Sequence, residues 1–135
     1  MFRHQLEIER ERGMGVKRIL VIDDERGILD LMKEYLDELG IEAILAEGGK
    51  QGLSMAKSEN PDVILLDLLM PDMPGDDVAQ ALRENPETAN IPIIFLSSLI
   101  EREDMEKQST GNHKYLSKNL IWPEFVRKLK ELLPS

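Results

Sequence analysis

The chain of 135 residues contains no cysteine, which excludes a disulfide framework, a thiolate zinc site and any cysteine nucleophile, and fits a reducing compartment. It also lacks any apolar run approaching the ~20 residues that span a bilayer. The first residues, Met1-Phe2-Arg3-His4-Gln5-Leu6-Glu7, lack the apolar core of a signal peptide. A cytoplasmic location without membrane insertion is therefore expected. Basic residues are the scarcer charge: 17 Lys and Arg stand against 26 Asp and Glu, for a net charge of −9. That sign disfavours binding to nucleic acid or to anionic lipid. What is present is globular material, 41% hydrophobic and 32% charged, in a length suited to one core.

Residues 1–15 differ from the rest. Arg3, Arg10 and Arg12 balance Glu7, Glu9 and Glu11, so the whole −9 belongs to residues 16–135. The sparse apolar content before Gly13 predicts a flexible extension or a short helix. From Val16 onward, short apolar runs alternate with amphipathic stretches, the pattern of parallel strands joined by crossover helices. Ile19-Leu20-Val21-Ile22, Val63-Ile64-Leu65-Leu66 and Ile93-Ile94-Phe95-Leu96 are continuous apolar blocks, as expected of central strands covered on both faces. Ile41 to Ala46 predicts a fourth strand, and His113 to Ser117 a weaker fifth at an edge. Ile28, Leu29, Met32, Leu36 and Leu39 recur at helical spacing up to Gly40. Further helices are expected around Leu53 and Ala56, from Gly75 to near Asn85-Pro86, over residues 101–109 with Met105 as the one core residue, and from Pro123 to Leu133. Five strands and five helices in alternation imply a doubly wound α/β sandwich with helices on both sheet faces. Ligands of such folds bind beyond the carboxyl ends of the strands.

The three central strands end in Asp23-Asp24-Glu25, in Asp67 and in Ser97-Ser98. Carboxylates converging at one sheet edge repel one another, so they raise a pKa, find a cation, or do both. Mg²⁺ is the best candidate, because it prefers carboxylate oxygens and partners phosphate. Lys118 follows the Tyr115-Leu116-Ser117 strand and brings an ammonium to the same rim. Such a set suits phosphoryl transfer: Asp67 attacks phosphorus, the metal and Lys118 neutralise the equatorial oxygens, and the Ser97 hydroxyl donates to one of them. Taken singly, each residue has a plainer use. Asp23 or Asp24 could cap the helix beginning near Arg26, Asp67 could close a strand, Ser97 could be a solvated loop hydroxyl, and Lys118 a surface charge. Neither His4 nor His113 is expected at the rim.

Val21-Ile22-Asp23-Asp24-Glu25, Leu65-Leu66-Asp67-Leu68-Leu69-Met70-Pro71, Ile94-Phe95-Leu96-Ser97-Ser98 and Tyr115-Leu116-Ser117-Lys118 together resemble the receiver domain of bacterial two-component response regulators, over about residues 16–134. The resemblance implies a five-stranded parallel sheet of flavodoxin-like order 2-1-3-4-5. It makes Asp67 the phosphoacceptor. Asp24, Asp67 and the Leu69 backbone carbonyl become direct Mg²⁺ ligands, and Asp23 a ligand through water. Ser97 takes the hydroxyl position, Lys118 the phosphate-binding lysine and Tyr115 the switch aromatic. The implied readout surface comprises helix 101–109, the Tyr115 strand and the last helix. The chain departs from the family pattern in four places: Asn119 stands where proline usually follows the lysine, Ser97 replaces the commoner threonine but keeps the hydroxyl, Ser98 stands where small apolar residues are frequent, and Gly111-Asn112-His113-Lys114 leads into the last strand. Trp122, beside the last helix, fits either edge packing or a partner surface.

The expected function is that of a phosphorylation-controlled switch, served by a histidine kinase or histidine phosphotransfer protein and acting on a downstream protein target. Homodimerisation on activation is compatible with it. A direct transcription factor is disfavoured by the acidic charge and by the lack of a helix-turn-helix segment. Two alternatives remain: a receiver-fold interaction module that works without phosphate, and an aspartate-nucleophile phosphatase. The latter usually needs a second acid two positions beyond the nucleophile, where this chain has Leu69.

Overall fold

The computed structural model describes residues 15–98 and 114–134. In chain order these form β1 (Arg18–Ile22), α1 (Arg26–Glu38), β2 (Glu42–Ala46), α2 (Gly49–Glu59), β3 (Val63–Asp67), α3 (Gly75–Glu84), β4 (Ile93–Ser97), β5 (Lys114–Ser117) and α4 (Trp122–Leu132). The strands pair in parallel in the order β2-β1-β3-β4-β5. This is the doubly wound α/β architecture that the alternating apolar blocks predict. The helix expected over 101–109, His4, His113 and, Gly15 apart, the extension assigned to 1–15 lie outside the described residues.

Strand periodicity sorts the core into two layers, because successive side chains leave a strand on opposite faces. Ile19, Val21, Leu65, Ile94, Leu96 and Leu116 face one helix layer, where Leu29, Met32 and Leu36 of α1 meet Phe125, Leu129 and Leu132 of α4. Leu20, Ile22, Ile64, Leu66 and Phe95 face the other, closed by Ala56 of α2 and by Val78, Ala79 and Leu82 of α3. Every residue of β3 is buried, whereas the edge strands β2 and β5 are only partly covered. Among the described residues no helix is long and apolar enough to cross a membrane.

Some local expectations change. The second strand begins at Glu42 rather than Ile41, because the Ile41 N–H donates to the Leu36 carbonyl at 2.9 Å and so serves the exit from α1 instead of the ladder. Neither Asp23 nor Asp24 caps α1. The N-cap is Glu25, without a side-chain cap bond, and Asp23 Oδ1 instead accepts the Glu25 N–H at 2.9 Å. Trp122 opens α4 and packs on Tyr35 of α1, with ring centroids 5.0 Å apart, while Tyr35 lies 4.8 Å from Phe125. Its role in the fold is thus the seam between α1 and α4. Pro123 sits in the first turn of α4, where a missing N–H costs no helical bond.

Candidate phosphoryl-transfer site

The sheet register brings the chemistry-bearing residues to one edge. Ile22 pairs with Leu66, Asp67 with Leu96, and Ser97 with Ser117. Asp23, Asp67, Ser97 and Lys118 therefore all lie at the carboxyl ends of adjacent strands, around the switch point where β1 and β3 meet. All four are buried. The Lys118 backbone N–H donates to the Ser97 carbonyl at 3.1 Å, extending the β4–β5 ladder by one bond past the strand and delivering the ammonium inward.

Lys118 Nζ lies 2.8 Å from Asp23 Oδ2, 3.0 Å from Asp67 Oδ1 and 3.2 Å from Glu25 Oε1. Asp67 Oδ1 also accepts the Leu69 N–H at 3.3 Å. Asp67 Oδ2 is buried without a hydrogen-bond donor, whereas Asp23 Oδ2 is met only by the Lys118 ammonium, 2.8 Å away. A buried carboxylate oxygen without a donor is costly, so this pocket is built for a further positive or hydrogen-bonding group. The electrostatics agree. Burial pushes Asp67 up to about 6, with the neighbouring Asp23 charge adding to the rise and Lys118 opposing it. Burial also raises Asp23, against the pull of Lys118. For Lys118, burial acts to lower the ammonium, yet the bonds to Asp23 and Asp67 outweigh it and the group is raised.

The donor set fits a hard cation. Asp23, Asp24 and Glu25 each offer an oxygen, all within 4.8 Å of one another, and Asp24 is exposed at the mouth. Mg²⁺ takes oxygen donors of this kind, and Asp67 Oδ2 is buried without a hydrogen-bond donor. The Leu69 side chain is 63% exposed and joins Leu68, Met70, Pro71 and Pro74 around a shallow cavity of about 280 Å³. Tyr115 is half-buried and stacks on Phe95 of the neighbouring strand, with centroids 5.5 Å apart and planes at 28°.

Two features were not foreseen from the sequence. Glu25 contacts Lys118; its place two residues after Asp23 was the available sign. Asn119, in the usual place of proline, uses the N–H that proline lacks to donate to Ser117 Oγ at 3.1 Å, and its side-chain amide donates to the Ser98 carbonyl at 3.3 Å. Its side chain thus ties the lysine loop to the end of β4. No cis peptide bond occurs among the described residues.

A flavodoxin-like sheet carrying an acidic, lysine-bridged pocket at its carboxyl edge defines a class of α/β protein organised around anion and cation chemistry at the strand ends. Residues 19–130 match the response regulator receiver domain, and the chain belongs to that family. It is 35% identical over 117 residues to the DNA-binding dual master transcriptional regulator RpaA of Synechocystis, covering 86% of this chain but 48% of the relative, about half its length. It is 27% identical over 118 residues to the polar-differentiation response regulator DivK of Brucella ovis, covering 87% of this chain and 96% of DivK. The chemotaxis response regulator CheY4 of Vibrio cholerae superposes with a TM-score of 0.75 at 25% identity, over 87% of this chain and 99% of CheY4. Receiver domains of response regulators are signalling modules of two-component systems rather than conventional enzymes.

Proposed function

We propose that this protein is a phosphorylation-controlled switch in a two-component phosphorelay, accepting a phosphoryl group from a phosphohistidine donor onto Asp67. The observation that carries the reading is the buried Lys118 ammonium shared by Asp23 and Asp67, with one Asp67 oxygen left without a hydrogen-bond donor. In the reaction an Asp67 carboxylate oxygen forms a bond to phosphorus while the donor's P–N bond breaks. The electron pair of that bond leaves with the imidazole nitrogen, and the product on Asp67 is an acyl phosphate. No general base is needed, since the nucleophile is the carboxylate itself, and a group titrating at about 6 is mostly ionised at neutral pH.

Asp24, Asp67 and the Leu69 carbonyl would hold Mg²⁺ directly, with Asp23 acting through water; bound there, the ion neutralises charge on the phosphoryl oxygens. Lys118 exchanges a carboxylate partner for a phosphoryl oxygen, and the Ser97 hydroxyl donates to another. Phosphorylation adds about −1.5 to −2 charge at the sheet edge. Ser97 is drawn toward it, Tyr115 shifts on Phe95, and the face formed by β5 and α4 changes for a downstream protein. The third part of that face, helix 101–109, lies outside the described residues. A histidine kinase or histidine phosphotransfer protein is the donor, and no separate substrate is turned over.

Incubation with acetyl phosphate, with and without Mg²⁺, followed by intact mass spectrometry tests the reading. The wild type gains the mass of one phosphoryl group only with Mg²⁺, and Asp67→Asn gains none. A wild type that never acquires the adduct overturns the proposal.

A further inference from the structure

The segment Met70-Pro71-Asp72-Met73-Pro74-Gly75 reads in sequence as a turn between β3 and α3, yet its central acid reaches a different helix. Helix α2 starts after Gly48, an N-cap residue with no side chain to satisfy the first N–H groups. Asp72 does so from across the loop: Oδ1 accepts the Gly49 N–H at 3.1 Å and Oδ2 the Lys50 N–H at 3.1 Å. A carboxylate is favoured there by the helix dipole. The Lys50 N–H, then that of Gly49, holds the Asp72 carboxyl below its ordinary range. Gly48 makes room for the contact. Its φ of 139° disfavours any side chain, and a Cβ there would stand 3.1 Å from Asp72 Oδ2.

The start of the same loop is anchored independently. The Leu68 N–H donates to the Leu96 carbonyl at 3.2 Å and the Gly75 N–H to the Leu68 carbonyl at 2.9 Å. Between these anchors and Asp72 the chain has only residues 69–71, and the Leu69 N–H donates to Asp67 Oδ1. We infer that Asp72 is a positioning residue of the phosphorylation site: by capping α2 it fixes the path of the loop that sets the Leu69 peptide beside Asp67. The part of this that concerns Mg²⁺ rests on the function proposed above.

The test uses the full chain, free of metal at the start, as wild type, Asp72→Ala, Asp72→Asn and Arg18→Ala. Mg²⁺ affinity is measured by titration calorimetry, and amide exchange at Leu69, Gly49 and Lys50 is measured without Mg²⁺. Asp72→Ala is expected to weaken Mg²⁺ binding about 10-fold, as loss of supporting contacts around a metal site does. It also speeds exchange at all three amides. Asp72→Asn keeps one accepting oxygen but turns a donor toward the other amide, so it falls between wild type and Asp72→Ala in both readouts. Arg18→Ala breaks the pairs with Glu42 and Glu59 at the opposite sheet edge. It lowers the melting temperature while leaving Mg²⁺ affinity unchanged, which separates positioning from general destabilisation. Wild-type affinity and Leu69 exchange in Asp72→Ala, or an equal loss of affinity in Arg18→Ala, overturns the inference. A wild type that binds no Mg²⁺ overturns the metal site proposed above. The Leu69 amide then decides the positioning alone: faster exchange in Asp72→Ala supports it, and unchanged exchange overturns it.

Discussion

Burial of the carboxylates around Lys118, which the ammonium only partly offsets, determines how the resting site responds to pH. A carboxyl whose folded pKa lies above its unfolded value holds its proton more tightly in the native state. Stability from that group is present below the unfolded value and is lost as pH rises through the folded one. For Asp67 the window runs from ~4 to about 6. The metal-free wild type should therefore lose stability relative to Asp67→Asn as pH rises through this window, and MgCl₂ should raise the melting temperature at pH ~8 far more than at pH ~5. Parallel pH–stability curves for the two proteins would contradict the account. Lys118→Ala leaves two buried carboxylates uncompensated, which costs about 3–5 kcal/mol near pH ~7.5. Below pH ~5 the same substitution should cost less, because Asp67, pushed up to about 6, is then largely neutral. Urea denaturation at both pH values measures the difference.

At the scale of elements, the short connections at the carboxyl edge position the site, and they depend on close backbone approach. Gly75 begins α3 directly against the Asp67 backbone: a Cβ there would collide with the Asp67 carbonyl oxygen and lie 2.8 Å from the Leu68 Cα. Neither neighbour is a flexible side-chain end, so β3 and α3 must separate if the residue grows. Gly75→Ala should cost about 1–3 kcal/mol by overpacking. It should also slow phosphorylation of Asp67 by small donors, whereas Ala79→Gly, deeper in the same helix, lowers stability without that effect. Denaturation midpoints and adduct formation over time read the two apart. The Trp122–Tyr35–Phe125 seam couples the start of α4, four residues past Lys118, to α1. The aromatic contact thus lies between the lysine loop and the helix layer that closes one sheet face.

For the molecule as a whole, the net charge of −9 falls on residues 16–135, and part of it is gathered at one sheet edge. Self-repulsion of this kind weakens as salt screens it. Raising KCl from about 0.02 to about 0.2 M should raise the melting temperature of the metal-free protein by a few degrees, as the Debye length falls from roughly 20 Å to below 10 Å. Calorimetry that finds no salt dependence would mean that pairs such as Arg26 with Glu47 and Lys33 with Asp37 already balance the surface.

Much of this architecture is legible in the amino-acid order, because strand and helix periods are local properties. The apolar blocks of β1, β3 and β4, the spacing of Leu29, Met32 and Leu36, and Pro123 at the head of α4 each identify an element from its own residues. The strand ends then mark where Asp23, Asp67 and Ser97 must lie. Other features have no local signature. A lysine after a weak edge strand looks like a surface charge, and its burial follows only when β5 pairs with β4. Its contact with Glu25 joins residues 93 positions apart. Asp72 lies in an ordinary turn sequence, and only the packing of the β3–α3 loop on α2 makes it a helix cap. Sequence alone therefore determined which residues could carry charge, hydroxyl and nucleophile to one edge of a parallel sheet. The tertiary structure decided which of them share an ammonium, which oxygens stay without a partner and how far each pKa moves, since desolvation and ion pairing exist only once distant segments exclude water together.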